Sequence, residues 1–141
     1  MESTSKVIVA FDFGLKNIGL AIGQEVTRTA QTFYSLSAIN GEPEWSKLDE
    51  LIEEWQPKLF VVGKPLNMDG TESKIQKKSY NFSLLLSKRY SIPVELIDER
   101  LTTREARERL SCREKSLISF SDDVHETSAQ IILENWFEEN K

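Results

Sequence analysis

Asp12 closes the apolar run Val7-Ile8-Val9-Ala10-Phe11 and is followed by Phe13-Gly14, so a carboxylate is delivered where the chain turns. A second acidic group, Asp98-Glu99 with Arg100 beside it, ends the stretch Pro93-Val94-Glu95-Leu96-Ile97. His125, the one histidine of the chain, stands four residues before Ala129 at the head of the last apolar-periodic segment. Carboxylates and imidazole are ligands and proton carriers of hydrolytic chemistry. An ionised carboxylate at the end of a buried strand needs a cation or hydrogen-bond donors beside it. Two roles stand open for Asp12: partner of a metal ion or base, or side-chain cap of the Gly14 turn. Two stand open for Asp98 and Glu99. They pair with Arg100, Arg104 or Arg107 as a surface network, or, ending the parallel strand next to that of Asp12, they face it across a cation, because facing carboxylates otherwise repel. Oxygen ligands of this hardness favour Mg²⁺ or Mn²⁺. A lone histidine on an apolar face is, on general grounds, more often structural than a ligand.

The elements that must position these residues follow from periodicity. The run from Val7 reads as a strand buried on both faces, Ile18–Ile22 as a second and Arg28–Leu36 as a third, joined by turn-length linkers into an antiparallel meander. Gly41-Glu42-Pro43-Glu44 opens a helix with Trp45, Leu48, Leu51, Ile52 and Trp55 inward, ended by Pro57. Lys58–Gly63 is a buried strand, Pro65–Thr71 a loop, and a longer helix follows with Ile75, Phe82, Leu85 and Leu86 inward. Pro93–Asp98 is another strand, and Thr102 and Glu105 are spaced as a capping box. The last helix runs from about Ser121 to Glu139 with Ala129, Ile132, Leu133, Trp136 and Phe137 on one face. Three antiparallel strands followed by strands alternating with helices predict an α/β fold, ribonuclease H-like, with a mixed five-stranded sheet and helices on both faces. In such sheets the crevice lies at the carboxyl ends of the parallel strands. Asp12, the Pro65–Thr71 loop and Asp98-Glu99-Arg100 would gather there.

Composition bounds the rest. The 141 residues, 39% hydrophobic with three Trp and seven Phe, predict one packed domain spanning 1–141, with no break or repeat to divide it. No apolar run approaches the roughly 18 residues of a membrane span, and Met1–Ser5 does not open a signal peptide. Cys112 is the only cysteine, so the chain has no internal disulfide, and a cytoplasmic location is expected. The net charge of −5 hides an asymmetry: residues 74–115 carry eleven Lys/Arg against six acids, and the rest of the chain is strongly acidic. That distribution suits either solvated helix faces or a phosphate-binding face on an otherwise acidic body. Ser111–Phe120 lacks periodicity and reads as a loop, with a mobile arm over bound nucleic acid as its alternative.

Four segments together resemble the YqgF/RuvX family, in order and at its spacing: Ala10–Gly19, Val62–Thr71, Asp98-Glu99-Arg100-Leu101-Thr102 and Ser128–Glu134. The family is similar to Holliday-junction resolvases of the ribonuclease H-like superfamily. It is described either as a resolvase or as the nuclease that matures the 5′ end of the small-subunit ribosomal RNA precursor. The resemblance implies that Asp12 and Glu99 are catalytic metal ligands and that Lys16 and Arg100 lie near substrate phosphate. One position departs from it: where the family usually has an Asp at the start of the last helix, this chain has His125, with Asp122, Asp123 and Glu126 close by in sequence. Placed as the third ligand, His125 would favour Mn²⁺ over Mg²⁺ and link activity to pH above roughly 6.5. Two divalent ions bridged by Asp12, with Glu99 and His125 completing their shells, would activate water against a phosphodiester, with Lys16 on a non-bridging oxygen.

The resemblance therefore implies a metal-dependent nuclease acting on RNA, as a monomer or weak homodimer, in pre-16S ribosomal RNA processing. Its first alternative is a Holliday junction resolvase cutting branched DNA, which requires a dimer with paired sites. The second is a catalytically silent RNA-binding module, kept open by the His125 exchange. Asp-x-Gly also opens actin-like phosphotransferases, which need a second domain of the same fold to close their nucleotide cleft.

Overall fold

The computed structural model describes residues 6–64, 74–98 and 120–140, the side chains of residues 64, 98 and 120–126 excepted. The Pro65–Thr71 loop, the capping box at Thr102, Cys112 and most of the Ser111–Phe120 segment lie outside the described residues.

The apolar run from Val7 forms β1 (Val7–Asp12), and the chain returns through β2 (Asn17–Gln24) and β3 (Thr29–Ile39). The meander expected from three short apolar segments is present: β1 and β2 pair antiparallel, as do β2 and β3. Arg28, read as the start of the third strand, instead takes a left-handed turn conformation (φ 56°). Glu42–Pro43 forms β4, a two-residue strand antiparallel to the end of β3, rather than the start of a helix. Among the described residues the sheet accordingly has six strands and not five, in the order β4-β3-β2-β1-β5-β6. Proline is admitted there because β4 is an edge strand.

Helix α1 (Trp45–Trp55) ends on Gln56, whose left-handed backbone (φ 44°) donates its N–H to the Ile52 carbonyl at 2.8 Å; Pro57 then prevents continuation. β5 (Leu59–Lys64), α2 (Lys74–Tyr90), β6 (Val94–Asp98) and α3 (Phe120–Glu139) complete the described chain. β5 runs parallel to both β1 and β6 and separates them. The two acidic strand ends are thus second neighbours, where the sequence reading made them adjacent.

Side-chain alternation divides the core into two layers. Val9, Phe11, Leu20, Phe60 and Val62 face α1 and α2, meeting Leu48, Ile52, Phe82 and Leu86. The rings of Phe60 and Phe82 stand edge-on to Phe11 at 5.5 and 5.6 Å between centroids. Ile8, Ala10, Ala21, Val61 and Ile97 face the other way, against Ala129, Ile132, Leu133 and Phe137 of α3. Two residues expected inward are instead exposed: Trp55, at the end of α1, meets Phe33 edge-on, and Leu85 lies on the outward side of α2.

A polar clamp joins α1 to α2. The Arg89 guanidinium donates from Nε and Nη2 to the two Asp49 oxygens at 2.8 and 2.7 Å, and the Tyr90 hydroxyl donates to Oδ1 at 2.6 Å. The Arg89 bonds, followed by that from Tyr90, pull the Asp49 carboxyl down to about 2. A depressed carboxylate stabilises the fold above its ordinary pKa of about 4, and that contribution is lost as pH falls towards 2. In acid denaturation, wild type is expected to lose stability across this window relative to Asp49→Asn; superimposable pH profiles would refute the clamp.

Candidate active site

The parallel registers bring the carboxyl ends of β1, β5 and β6 to one level. Asp12 pairs with Gly63, and Gly63 with Ile97. Asp12 is 3% exposed. It continues the alternation of Ile8 and Ala10, so its carboxylate belongs to the sheet face covered by α3. On β2 its register partner is Gly19. Register partners share a face, so on both flanking strands the position level with Asp12 carries no side chain. Beyond Gly63, β6 lies two strand spacings from β1, about 10 Å. Glu99 follows Asp98 directly, two residues after the inward-facing Ile97.

Past Asp12 the chain is held closely. Phe13 is buried against Phe82, with 5.3 Å between ring centroids. Gly41 crosses over Phe13 with φ +87°, and a Cβ there would lie 2.8 Å from the ring's Cζ. Ala38 and Gly41 donate backbone N–H groups to the Lys16 and Leu15 carbonyls at 2.8 and 2.9 Å. Lys16 is exposed in this pinned turn, four residues after the buried Asp12.

α3 approaches the sheet through small residues. A Cβ on Gly23 would lie 2.7 Å from the Thr29 carbonyl oxygen, 2.8 Å from Leu133 Cδ2 and 3.0 Å from Phe137 Cε2. Gln130 Nε2 donates to the Ala30 carbonyl at 3.1 Å, Trp136 Nε1 to Glu95 at 3.2 Å, and Arg28 to the Phe137 carbonyl. These contacts set the helix along the sheet. Residue 125 lies in its N-terminal part, one turn before the fully buried Ala129.

Of the five residues singled out in the sequence, Asp12 and Lys16 are thus placed at the end of β1 and in the turn after it. Glu99 and Arg100 lie outside the described residues, as does the side chain of His125. Among the described residues no three His, Cys, Asp or Glu side chains form a metal-binding group. Asp12 by itself suits a divalent cation: it offers hard oxygen donors, is nearly fully buried, and has glycines for strand neighbours. The glycines at 19 and 63 were not recognisable as site residues in the sequence. Their part depends on register, and their only sequence signal is a small residue inside each strand.

A three-stranded meander continued by two parallel strands, with a buried carboxylate ending the first strand and helices on both faces, defines a ribonuclease H-like fold. The solved structures agree in fold. Thermus thermophilus RuvC in complex with a Holliday junction substrate matches with TM-score 0.54 and 13% identity, covering 95% of this chain and 94% of that one. The yeast mitochondrial Holliday junction resolvase Ydc2 matches with TM-score 0.52 and 11% identity, covering 97% and 79%. Closer relatives are found by sequence. Proteins named "Putative pre-16S rRNA nuclease" are 48% identical in Yersinia enterocolitica, over 96% of both chains, and 43% identical in Buchnera aphidicola, over 95% of this chain and 98% of that one. The family model described as RuvX, Holliday junction resolvase, matches residues 6–139. The chain belongs to the RuvX family. Among the described residues no helix is long and apolar enough to cross a membrane.

Proposed function

We propose that this chain is a divalent-metal-dependent nuclease that hydrolyses phosphodiester bonds in the 5′-end processing of pre-16S ribosomal RNA. The observation that carries the reading is Asp12: a buried carboxylate at the carboxyl edge of the parallel strands, beside two glycines, in a chain whose relatives carry a nuclease name. A buried carboxylate at the carboxyl edge of parallel strands is a hard-oxygen ligand positioned for a divalent cation. Asp12, Glu99 and His125 are the residues proposed to hold the metal. Bound there, a divalent ion supplies Lewis-acid activation of water and neutralises charge on the reacting phosphate.

The chain's own groups do the rest. Lys16, in a turn fastened to the end of β3, holds a phosphate oxygen as a point charge, with Arg100 as a second cation. Phe13 and Gly14, both buried, keep the backbone after Asp12 in one place. The test is cleavage of matched single-stranded RNA, single-stranded DNA and four-way junction DNA with Mg²⁺ or Mn²⁺, for wild type beside Asp12→Asn. Asp12-dependent cutting of RNA supports the reading, and RNA binding without Asp12-dependent cutting of any substrate refutes it.

The RuvX model's description as a Holliday junction resolvase favours one second reading, cleavage of branched DNA. Symmetric paired cuts on the junction substrate, by a dimer, would establish it in place of the first.

His125 as ligand has its own consequence. His125→Asp restores an all-carboxylate set, so the ratio of Mn²⁺-supported to Mg²⁺-supported cleavage is expected to fall by about tenfold. An unchanged ratio in parallel metal titrations would remove His125 from the set.

A further inference from the structure

α2 carries five basic residues, Lys74, Lys77, Lys78, Lys88 and Arg89, and no acidic one between Lys74 and Tyr90. Two of the cations are already engaged. Arg89 clamps Asp49, and Lys78 donates to the Asn40 carbonyl and side-chain oxygens at 3.2 and 2.6 Å. Among the described residues Lys74, Lys77 and Lys88 enter no ion pair, and all three are exposed. Ser79, Phe82, Ser83 and Leu86 face the sheet, so helical spacing puts Lys77, Asn81, Leu84 and Lys88 along the opposite, outward line. Tyr80 stands beside that line and is 53% exposed. Asn81 and Leu85 continue into a cavity of about 190 Å³ between α2 and the turn joining β3 to β4, also lined by Ile39 and Trp45.

A lysine line interrupted by an exposed aromatic and apolar residues is poorly suited to a second copy of this chain. Isologous pairing through α2 would set its uncompensated lysines against those of the other copy. Helix α1, on the same side of the sheet, carries the exposed acids Glu50, Glu53 and Glu54, so of these two helices α2 is the one that suits an anionic partner. α2 also begins ten residues after the carboxyl end of β5, at the edge of the sheet where Asp12 lies. We propose that the outward face of α2 is an exosite for the sugar-phosphate backbone of a nucleic-acid strand, with Lys77 and Lys88 on phosphates and Tyr80 stacking on an unpaired base. The strand leaves the cleavage site along a helix about 25 Å long. This rests on the nuclease reading for its substrate and extends it to a surface outside the site.

The test measures binding apart from cutting. Fluorescein-labelled single-stranded RNA and four-way junction DNA are titrated across a potassium chloride series in chelator, for wild type, the double variant Lys77→Gln/Lys88→Gln, and Tyr80→Ala. Neutralising two phosphate contacts is expected to reduce the slope of log affinity against log salt by about 1.4 on the single strand. Tyr80→Ala is expected to weaken single-strand binding by about tenfold with the slope unchanged. Wild-type melting temperatures in both variants would exclude misfolding. Unchanged affinity and slope overturn the exosite, even where wild type cuts RNA. A loss confined to the junction assigns the face to branched DNA and overturns the stacking role. Lost binding in the lysine variant of a protein that cuts nothing leaves the exosite standing and the nuclease reading refuted. A change in sedimentation mass instead of nucleic-acid affinity makes α2 a self-association face and overturns the proposal.

Discussion

Asp12→Asn lowers the rate of phosphodiester cleavage by about 10³-fold or more while leaving the protein folded. The size of the effect follows from what the substitution removes. Asparagine keeps the shape and one acceptor oxygen but loses the negative charge, so a divalent ion loses a principal anchor. Each 1.4 kcal/mol of lost stabilisation is about tenfold in rate, and a metal-ligand charge contributes several kcal/mol. Stability is expected to move little, because asparagine fills the same buried volume and keeps a hydrogen-bonding side chain. The measurement pairs single-turnover cleavage in Mg²⁺ and Mn²⁺ with thermal denaturation in chelator. Cleavage within a few-fold of wild type would show that Asp12 only caps the Gly14 turn. Loss of the folded state in Asp12→Asn would show a structural role.

The second large effect is at Gly23. Gly23→Val should destabilise the protein by about 3 kcal/mol, lowering its melting temperature by about 10 °C. Its Cβ would meet the Thr29 carbonyl, a backbone atom held by the β2–β3 pairing, as well as two side chains of α3. Leu133 and Phe137 must shift as well, and they pack with Ala10 and Ala21 on the same face as Asp12. Activity should therefore fall further than the loss of folded protein explains when both are measured below the melting transition. Shortening Leu133 to Ala should not rescue the variant, since the Thr29 oxygen remains. Wild-type stability in Gly23→Val would mean that α3 is not seated as closely as described.

Much of the architecture is legible in the residues alone. Val7–Asp12 is apolar at every position but the last, which suits a strand buried on both faces, and the run does form one. Leu48, Leu51 and Ile52, like Ala129, Ile132, Leu133 and Phe137, recur at the helical period and do face the core. Asp12 stands out because a carboxylate at the end of such a run requires a partner. The four motifs that carry the family resemblance are likewise sequence features, and the relatives bear the family out. Glu99 and Arg100 stand out at the end of a strand segment and His125 one helical turn before Ala129, and the family resemblance supplies their roles.

What the tertiary structure decided is non-local. β5 inserts between β1 and β6 through hydrogen bonds between segments far apart in sequence, and no periodicity within a segment announces its neighbours. For the same reason the sequence reading took the acidic strand ends as adjacent, and did not find the glycines at 19 and 63 beside Asp12. Glu42–Pro43 is a strand only because the end of β3 lies alongside it. Trp55 and Leu85 fit a helical apolar pattern yet stay exposed, because each helix covers only part of the sheet with its stripe. The basic excess of residues 74–115 is visible as a count. Only the packing of Phe82 and Leu86 against the sheet separates Arg89 and Lys78, bound within the fold, from Lys77 and Lys88, which face outward. The chain's own residues determine which segments are strands and helices and where a carboxylate must find a partner. Which of those segments become neighbours is determined by the hydrogen bonds and contacts that close the sheet.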